Sequence, residues 1–147
     1  TGFGGSKASD LLYYIKELVL DFNPSKVVIY EGDNDISSGH KISFILKNIK
    51  QIIKKIREKN NNAQIILIST KPSIMRWDLR KKYIQLNNKY KKLAVKKQYI
   101  HFADTWTQML DKGRLKTDIF IEDGLHLNKK GYKIWEGVLK LILKITD

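Results

Sequence analysis

The sequence predicts an α/β domain with a parallel sheet covered by helices on both faces. Three short runs that read as strands, at 26–31, 64–69 and 99–103, alternate with segments of helical periodicity. Strands joined through helices of this length imply βαβ units, and hence parallel pairing. Ligands of such sheets sit at the carboxyl ends of the strands, so polar clusters that follow a strand carry the most weight.

Residues 6–22 space Ala8, Leu11, Leu12, Ile15, Leu18, Val19 and Phe22 along one helical face, which Asn23-Pro24 ends. A serine at the start of that helix reads as its N-cap, here Ser6. Residues 26–31 (KVVIYE) read as a buried strand and 32–39 as a turn cluster. Residues 41–59 place Ile42, Ile45, Leu46, Ile49, Ile52, Ile53 and Ile56 on one face and lysines on the other, the clearest amphipathic helix in the chain. Residues 64–69 (QIILIS) are a second buried strand, followed by a loop holding Pro72. Asp78 is placed to cap a helix to about Lys96, and 99–103 form the third strand. Residues 104–127 read as mostly irregular. Asn128 is the expected N-cap of a final helix, with Ile134, Trp135, Val138, Leu139, Ile142 and Ile145 as its core face.

Composition excludes several classes. The 147 residues suit one domain, and 42% hydrophobic content is too high for a disordered polyelectrolyte. No apolar run approaches the ~18 residues of a membrane span. The absence of cysteine excludes disulfides, thiol catalysis and Cys-based zinc sites, but does not fix the compartment. The net charge of +13 invites a polyanion-binding reading. Against it, 24 of the 28 basic residues are Lys, whereas Arg is the preferred fork for phosphates and bases. Abundant Lys, Ile and Asn equally reflect genome base composition. No interleaving of aromatic and basic residues marks an RNA module, so no specific nucleic-acid partner is expected. An anionic membrane surface, met by the last helix with Lys133, Lys140 and Lys144, competes with a plain core helix.

Three polar clusters stand out. Gly2-Phe3-Gly4-Gly5-Ser6 precedes the first helix. Glycines there let a backbone N–H approach a ligand, although a plain turn is the commoner use, and the spacing is neither a dinucleotide fingerprint nor a Walker loop. Glu31-Gly32-Asp33-Asn34-Asp35 directly follows the first strand. Its alternate acids suggest calcium, but counting from Asp33 an EF-hand loop would need Gly at Ser38 and Glu at Phe44. It is either a local turn or a place where Asn34 offers an amide donor to an oxyanion. Asp123-Gly124-Leu125-His126 precedes the last helix, and a carboxylate three residues before an imidazole can orient it. A lone D-x-x-H is frequent by chance. His40 reads as loop surface, and His101 as a strand-end residue without an assigned role.

Taken together and in this order, the clusters resemble the SGNH hydrolases, also called GDSL esterases and lipases. Gly-Phe-Gly-Gly-Ser looks like that family's second block, with Gly5 as a backbone oxyanion donor. Gly32-Asp33-Asn34-Asp35 is similar to the third block, with Asn34 as the side-chain donor. Asp123-Gly124-Leu125-His126 looks like the fifth, with Asp123 and His126 as catalytic partners; Asn128 and Gly131-Tyr132 are also typical. The stretch Lys71-Pro72-Ser73 with Arg76-Trp77 is similar to bacterial members, and makes Arg76 and Trp77 candidates for the border of a substrate pocket. The resemblance implies a three-layer α/β/α sandwich of flavodoxin-like topology, and a serine-dependent acyl-ester hydrolase that uses neither metal nor cofactor. It implies a small acyl ester as substrate.

The first block, G-D-S with the nucleophilic serine, has no counterpart among these residues. The resemblance also implies a strand order 2-1-3-4-5, in which the three strands here are the third to fifth. The expectation is therefore a single domain over 1–147 that forms the C-terminal portion of a longer chain. The missing N-terminal strands would need on the order of 40–60 further residues, and that segment would be this chain's principal partner. The fragment alone would be inactive. The rival readings are a non-catalytic binding module of the same fold and a basic nucleic-acid-binding protein, which would show steep salt dependence.

Overall fold

The computed structural model describes residues 4–146. Gly2 and Phe3 of the glycine cluster lie outside the described residues. Strands β1 (Lys26–Ile29), β2 (Gln64–Ile68) and β3 (Ile100–Ala103) pair in parallel in the order β1-β2-β3. The register sets Val27 beside Ile65 and Ile65 beside Ile100, so their side chains share one face. On that face they pack against α1 (Ala8–Tyr13), α4 (Ile42–Lys59) and α5 (Arg80–Lys96), through Ala8, Ile45, Ile49, Ile52, Tyr83 and Leu86. The alternate residues Ile66, Ile68 and Ala103 face α7 (Lys129–Ile145) through Trp135, Val138, Leu139 and Ile142. Side chains alternate across a strand, so two apolar faces need a helical layer each, and the near-continuous β-branched runs are the result.

Several local expectations are corrected. The first segment is not one helix: it divides into α1, α2 (Ile15–Leu18) and a 3-10 turn at Leu20–Phe22, closed by Asn23 in the left-handed region. Only Ala8, Ile15 and Val19 are buried there. The segment's main helix partner is α4, and part of its apolar stripe (Leu11, Leu18 and Phe22) lines the groove beside β1 rather than being fully buried. Ser6 is not the N-cap; that position is Lys7, whose N–H donates to Asp10 Oδ2 at 3.0 Å. Asp78 is not a cap either, because it lies within a 3-10 turn, Trp77–Leu79, that runs directly into α5. Between β3 and α7 the chain is mostly irregular, as expected, apart from α6 (Thr105–Gln108) and a small hairpin of β4 (Leu110–Asp111) with β5 (Arg114–Leu115). Asn128 does cap α7, its Oδ1 accepting from Lys130 N and Gly131 N.

Among the described residues no strand pairs with the outer edge of β1. Beside that edge runs a groove of about 610 Å³, lined by Leu11, Leu18, Val19, Phe22, Val28 and Ile52. Phe22 is 69% and Val28 44% exposed. An apolar strand with an open edge is the kind of surface that sheets normally pair or cover.

Candidate active site

The site assembles where β1 and β2 end. After β1 the chain turns at Gly32, which has φ +111° and starts α3 (Asp33–Ser37). A Cβ on Gly32 would lie 2.5 Å from Leu86 Cδ2 and 3.1 Å from Thr70 Cγ2. Gly32→Ala is therefore expected to cost roughly 2–4 kcal/mol, from a left-handed alanine and an overpacked core together. Gly39, at φ +83° with open space around it, supplies the control. Equilibrium denaturation should show Gly39→Ala losing clearly less.

The turn sets Asp33 inward and Asn34 toward the cleft. Asp33 is a buried hub: Oδ1 accepts from Arg76 Nη1 at 2.6 Å and Tyr83 Oη at 2.8 Å, and Oδ2 from Tyr30 Oη at 3.0 Å and Lys71 Nζ at 3.4 Å. Burial pushes its carboxyl up, but the charge of Lys71 and the bond and charge of Arg76 outweigh this and hold it below the usual carboxylate range. Asp35 turns the other way, its Oδ2 accepting from Ala8 N at 3.1 Å at the start of α1. Asn34 Nδ2 donates to Ser6 O at 3.0 Å, so the glycine turn is pinned twice against α3. Arg76 Nη1 also donates to Asn34 Oδ1 at 3.2 Å. With its oxygen engaged by Arg76, the amide has only its NH₂ to present toward Gly5 and Ser6.

The second half of the site is the loop 123–126. Asp123 Oδ1 accepts from Leu125 N at 2.8 Å and His126 N at 2.9 Å, and its Oδ2 lies 2.5 Å from His126 Nδ1. The bond from His126, then the two backbone N–H groups, hold the Asp123 carboxyl at about 2. An ionised Asp123 fixes the imidazole with Nδ1 toward it and Nε2 outward; the His126 side chain is 67% exposed. Gly124, at φ +63°, docks the loop, its carbonyl accepting from Ile74 N and Met75 N. Lys71 Nζ donates to Leu125 O at 2.7 Å and thereby ties this loop to the Asp33 hub.

These pieces surround one cleft of about 290 Å³, lined in part by Gly5, Ser6, Glu31, Asn34, Arg76 and His126. Thus Gly5, Asn34, Arg76 and His126 come together, with Asp123 behind the histidine. Trp77 does not join them: it stacks on Trp106, ring centroids 6.3 Å apart, with the Arg80 guanidinium over its ring. Of the other histidines, His101 pairs with Gln64 across β2 and β3, and His40 lies 3.7 Å from Asp35. Lys71, Tyr30 and Tyr83 were not expected at the site; their one local signal is the position of Lys71 soon after a buried strand.

Ser6 is the serine nearest this chemistry, and its hydroxyl donates to Glu31 Oε1 at 3.2 Å. Among the described residues no serine is hydrogen-bonded to His126. Burial, then the charge of Asp35, pushes the Glu31 carboxyl up to about 7, against the opposing bond from Ser6. A raised carboxyl binds its proton more tightly in the folded chain. Its contribution is therefore complete below the unfolded value near 4.5 and is lost as pH rises through about 7. Wild type should lose on the order of 2–3 kcal/mol from this group between those limits. Urea denaturation at pH 5 and pH 8 should show Glu31→Gln losing less than wild type; equal losses would reject the assignment.

The sequence profile of the GDSL-like lipase/acylhydrolase family matches residues 1–134. The chain belongs to this family. The fold of this GDSL-like chain is shared with a GDSL-like lipase from Bacteroides thetaiotaomicron, at TM-score 0.87 and 22% identity over 100% of this chain and 75% of that one. It is shared too with a family 3 carbohydrate esterase from Talaromyces cellulolyticus, at TM-score 0.83 and 20% identity over 99% and 70%. In sequence, the GDSL-like chain is 30% identical over 146 residues to an N-acylneuraminate cytidylyltransferase from Escherichia coli O18:K1:H7. That match takes in 97% of this chain and 34% of the relative, so the chain spans about a third of the relative's length. Three-layer architecture, parallel sheet and esterase-type hydrolase fold are thereby established.

Proposed function

We propose that this chain carries the base, the orienting acid and two oxyanion donors of an acyl-ester hydrolase, and that the nucleophilic serine comes from outside these 147 residues. The observation that carries the reading is the Asp123–His126 pair facing the cleft that Gly5 and Asn34 line. The serine Oγ attacks the acyl carbonyl as His126 Nε2 takes its proton. The oxyanion accepts from the Gly5 N–H and the Asn34 amide. On collapse the C–O bond breaks and the alcohol leaves with the proton from His126. Water then cleaves the acyl-enzyme by the same steps, returning the proton to the serine.

The open edge of β1 supports the origin of the serine. A parallel strand added there would bury the apolar groove and end beside Gly5 and Asn34. For the substrate, carbohydrate esterases among the structural neighbours and a relative named for an acylated sugar acid favour an acylated sugar. The test is acetate release by the intact protein from p-nitrophenyl acetate and from an O-acetylated sugar. Hydrolysis of both is expected. Release from the chromogenic ester alone would reject the sugar and leave the esterase; release from neither would reject both.

A further inference from the structure

We propose that the α4–α5 face is a docking surface for an anionic membrane. The molecule's charge is concentrated there. Residues 42–59 and 80–96 hold thirteen basic side chains and one acid, Glu58, which is twelve of the thirteen net positive charges. The other 112 residues are nearly neutral, at +1. All eleven lysines of the two helices are exposed. The helices lie on the same face of the sheet, and helices of this length extend about 26 Å, roughly 10 Å apart when packed. The result is a flat cationic rectangle, which matches a plane of anionic headgroups.

Two further observations favour a membrane over nucleic acid. The arginines of this face are already engaged. Arg57 Nη1 donates to Ala63 O at 2.9 Å, with its guanidinium 4.1 Å from the Tyr99 ring centre; Arg80 Nη1 donates to Trp77 O at 3.1 Å. Only lysines, compact point charges without a planar fork, remain to meet the partner. The tyrosines of α5, Tyr83 and Tyr90, are buried and offer no stacking platform to a base. What does project among the lysines is chiefly aliphatic: Val95 is 82% exposed beside Lys91, Lys92 and Lys96, and Ile84 is 42% exposed; the one half-exposed aromatic described on these helices, Phe44 in the first turn of α4, has the His40 ring against it. Between the helices lie two shallow furrows, floored by Leu46 in one and by Ile53 and Leu93 in the other. Lysine on an aliphatic surface suits the headgroup boundary of a bilayer. The site cleft lies toward the N-terminal ends of the same helices, since Asn34 precedes α4 and Arg76 precedes α5.

The experiment is co-sedimentation of the intact protein with phosphatidylcholine vesicles, with and without about 30 mol% phosphatidylglycerol. Binding to the anionic vesicles alone is expected, lost at about 0.5 M salt. Replacing Lys50, Lys54, Lys89 and Lys92 by Gln should weaken it roughly tenfold or more. Replacing Lys133, Lys140 and Lys144 of α7 should change it by less than about twofold. Circular dichroism confirms that both variants fold. No preference for anionic vesicles, or an equal loss in the α7 variant, would overturn the proposal. So would tighter binding of a single-stranded oligonucleotide than of anionic vesicles at the same salt. The assay does not involve ester hydrolysis, so its failure leaves the esterase reading intact, and the reverse.

Discussion

His126→Ala in the intact protein is expected to lower kcat for a short-chain ester by about 10⁴-fold or more, with KM nearly unchanged. In the proposed mechanism the proton of the nucleophile goes not to Glu31, a further proton acceptor lining the cleft whose Oε1 already accepts from Ser6, but to the imidazole. Its Nδ1 is held by a carboxylate that stays ionised down to about pH 2, so Nε2 faces outward. Asp123→Asn should lose activity by the same route, since an amide can hold the ring in the wrong tautomer. Stability should move little in either variant, because the His126 side chain is mostly exposed. A progress-curve assay over several substrate concentrations separates kcat from KM. A His126→Ala protein of near wild-type kcat would remove the base from the mechanism.

Asn34→Ala is expected to cost about 10²–10³ in kcat, the usual loss for one oxyanion donor. The same geometry predicts a smaller, graded loss at Arg76, whose Nη1 holds Asn34 Oδ1 and Asp33 Oδ1 together. In the proposed mechanism Arg76 acts through Asn34 and is a positioning residue. Arg76→Met should lower kcat with KM little changed, and Arg76→Lys should recover part of the loss. Arg76→Met should also alter the Asn34 side-chain amide resonances in an NMR spectrum, a change that global loosening would not confine to that group. Equal losses in Met and Lys variants, with unchanged Asn34 amide signals, would reject the orienting role.

Much of this was readable locally. The run QIILIS is buried on both faces, so its near-continuous apolar composition marks it without any partner in view; in KVVIYE the same composition marks the strand, although Val28 is left exposed beside the open edge. The helix α4 repeats isoleucine at helical spacing, and Asn128 meets the backbone N–H groups only two and three residues on. The Asp123–His126 bond likewise spans three residues. The contacts that no local pattern encodes are those between residues far apart in sequence. Lys71 reaches Asp33 across 38 residues and Leu125 across 54, and no local pattern encodes such a pair. The Trp77–Trp106 stack joins the turn before α5 to α6 across 29 residues, which no pattern around Arg76 encodes. Ser6 sits where a helix cap is expected, but the cap position falls at Lys7. The actual partner of Ser6, Glu31, arrives from the end of β1. The first helix breaks for a related reason: its apolar stripe is regular, but Leu11, Leu18 and Phe22 face an open groove.

The central claim is that Asp123, His126, Gly5 and Asn34 serve a serine that this chain does not itself contain. The most direct measurement is labelling with a fluorophosphonate, which reacts only with an activated serine, followed by mass-spectrometric mapping of the modified residue. The account predicts one labelled serine in the intact protein, outside these 147 residues, with labelling lost in His126→Ala and absent from the isolated chain. Labelling of Ser6 or of any other serine within the 147 residues, or labelling that persists without His126, would contradict it.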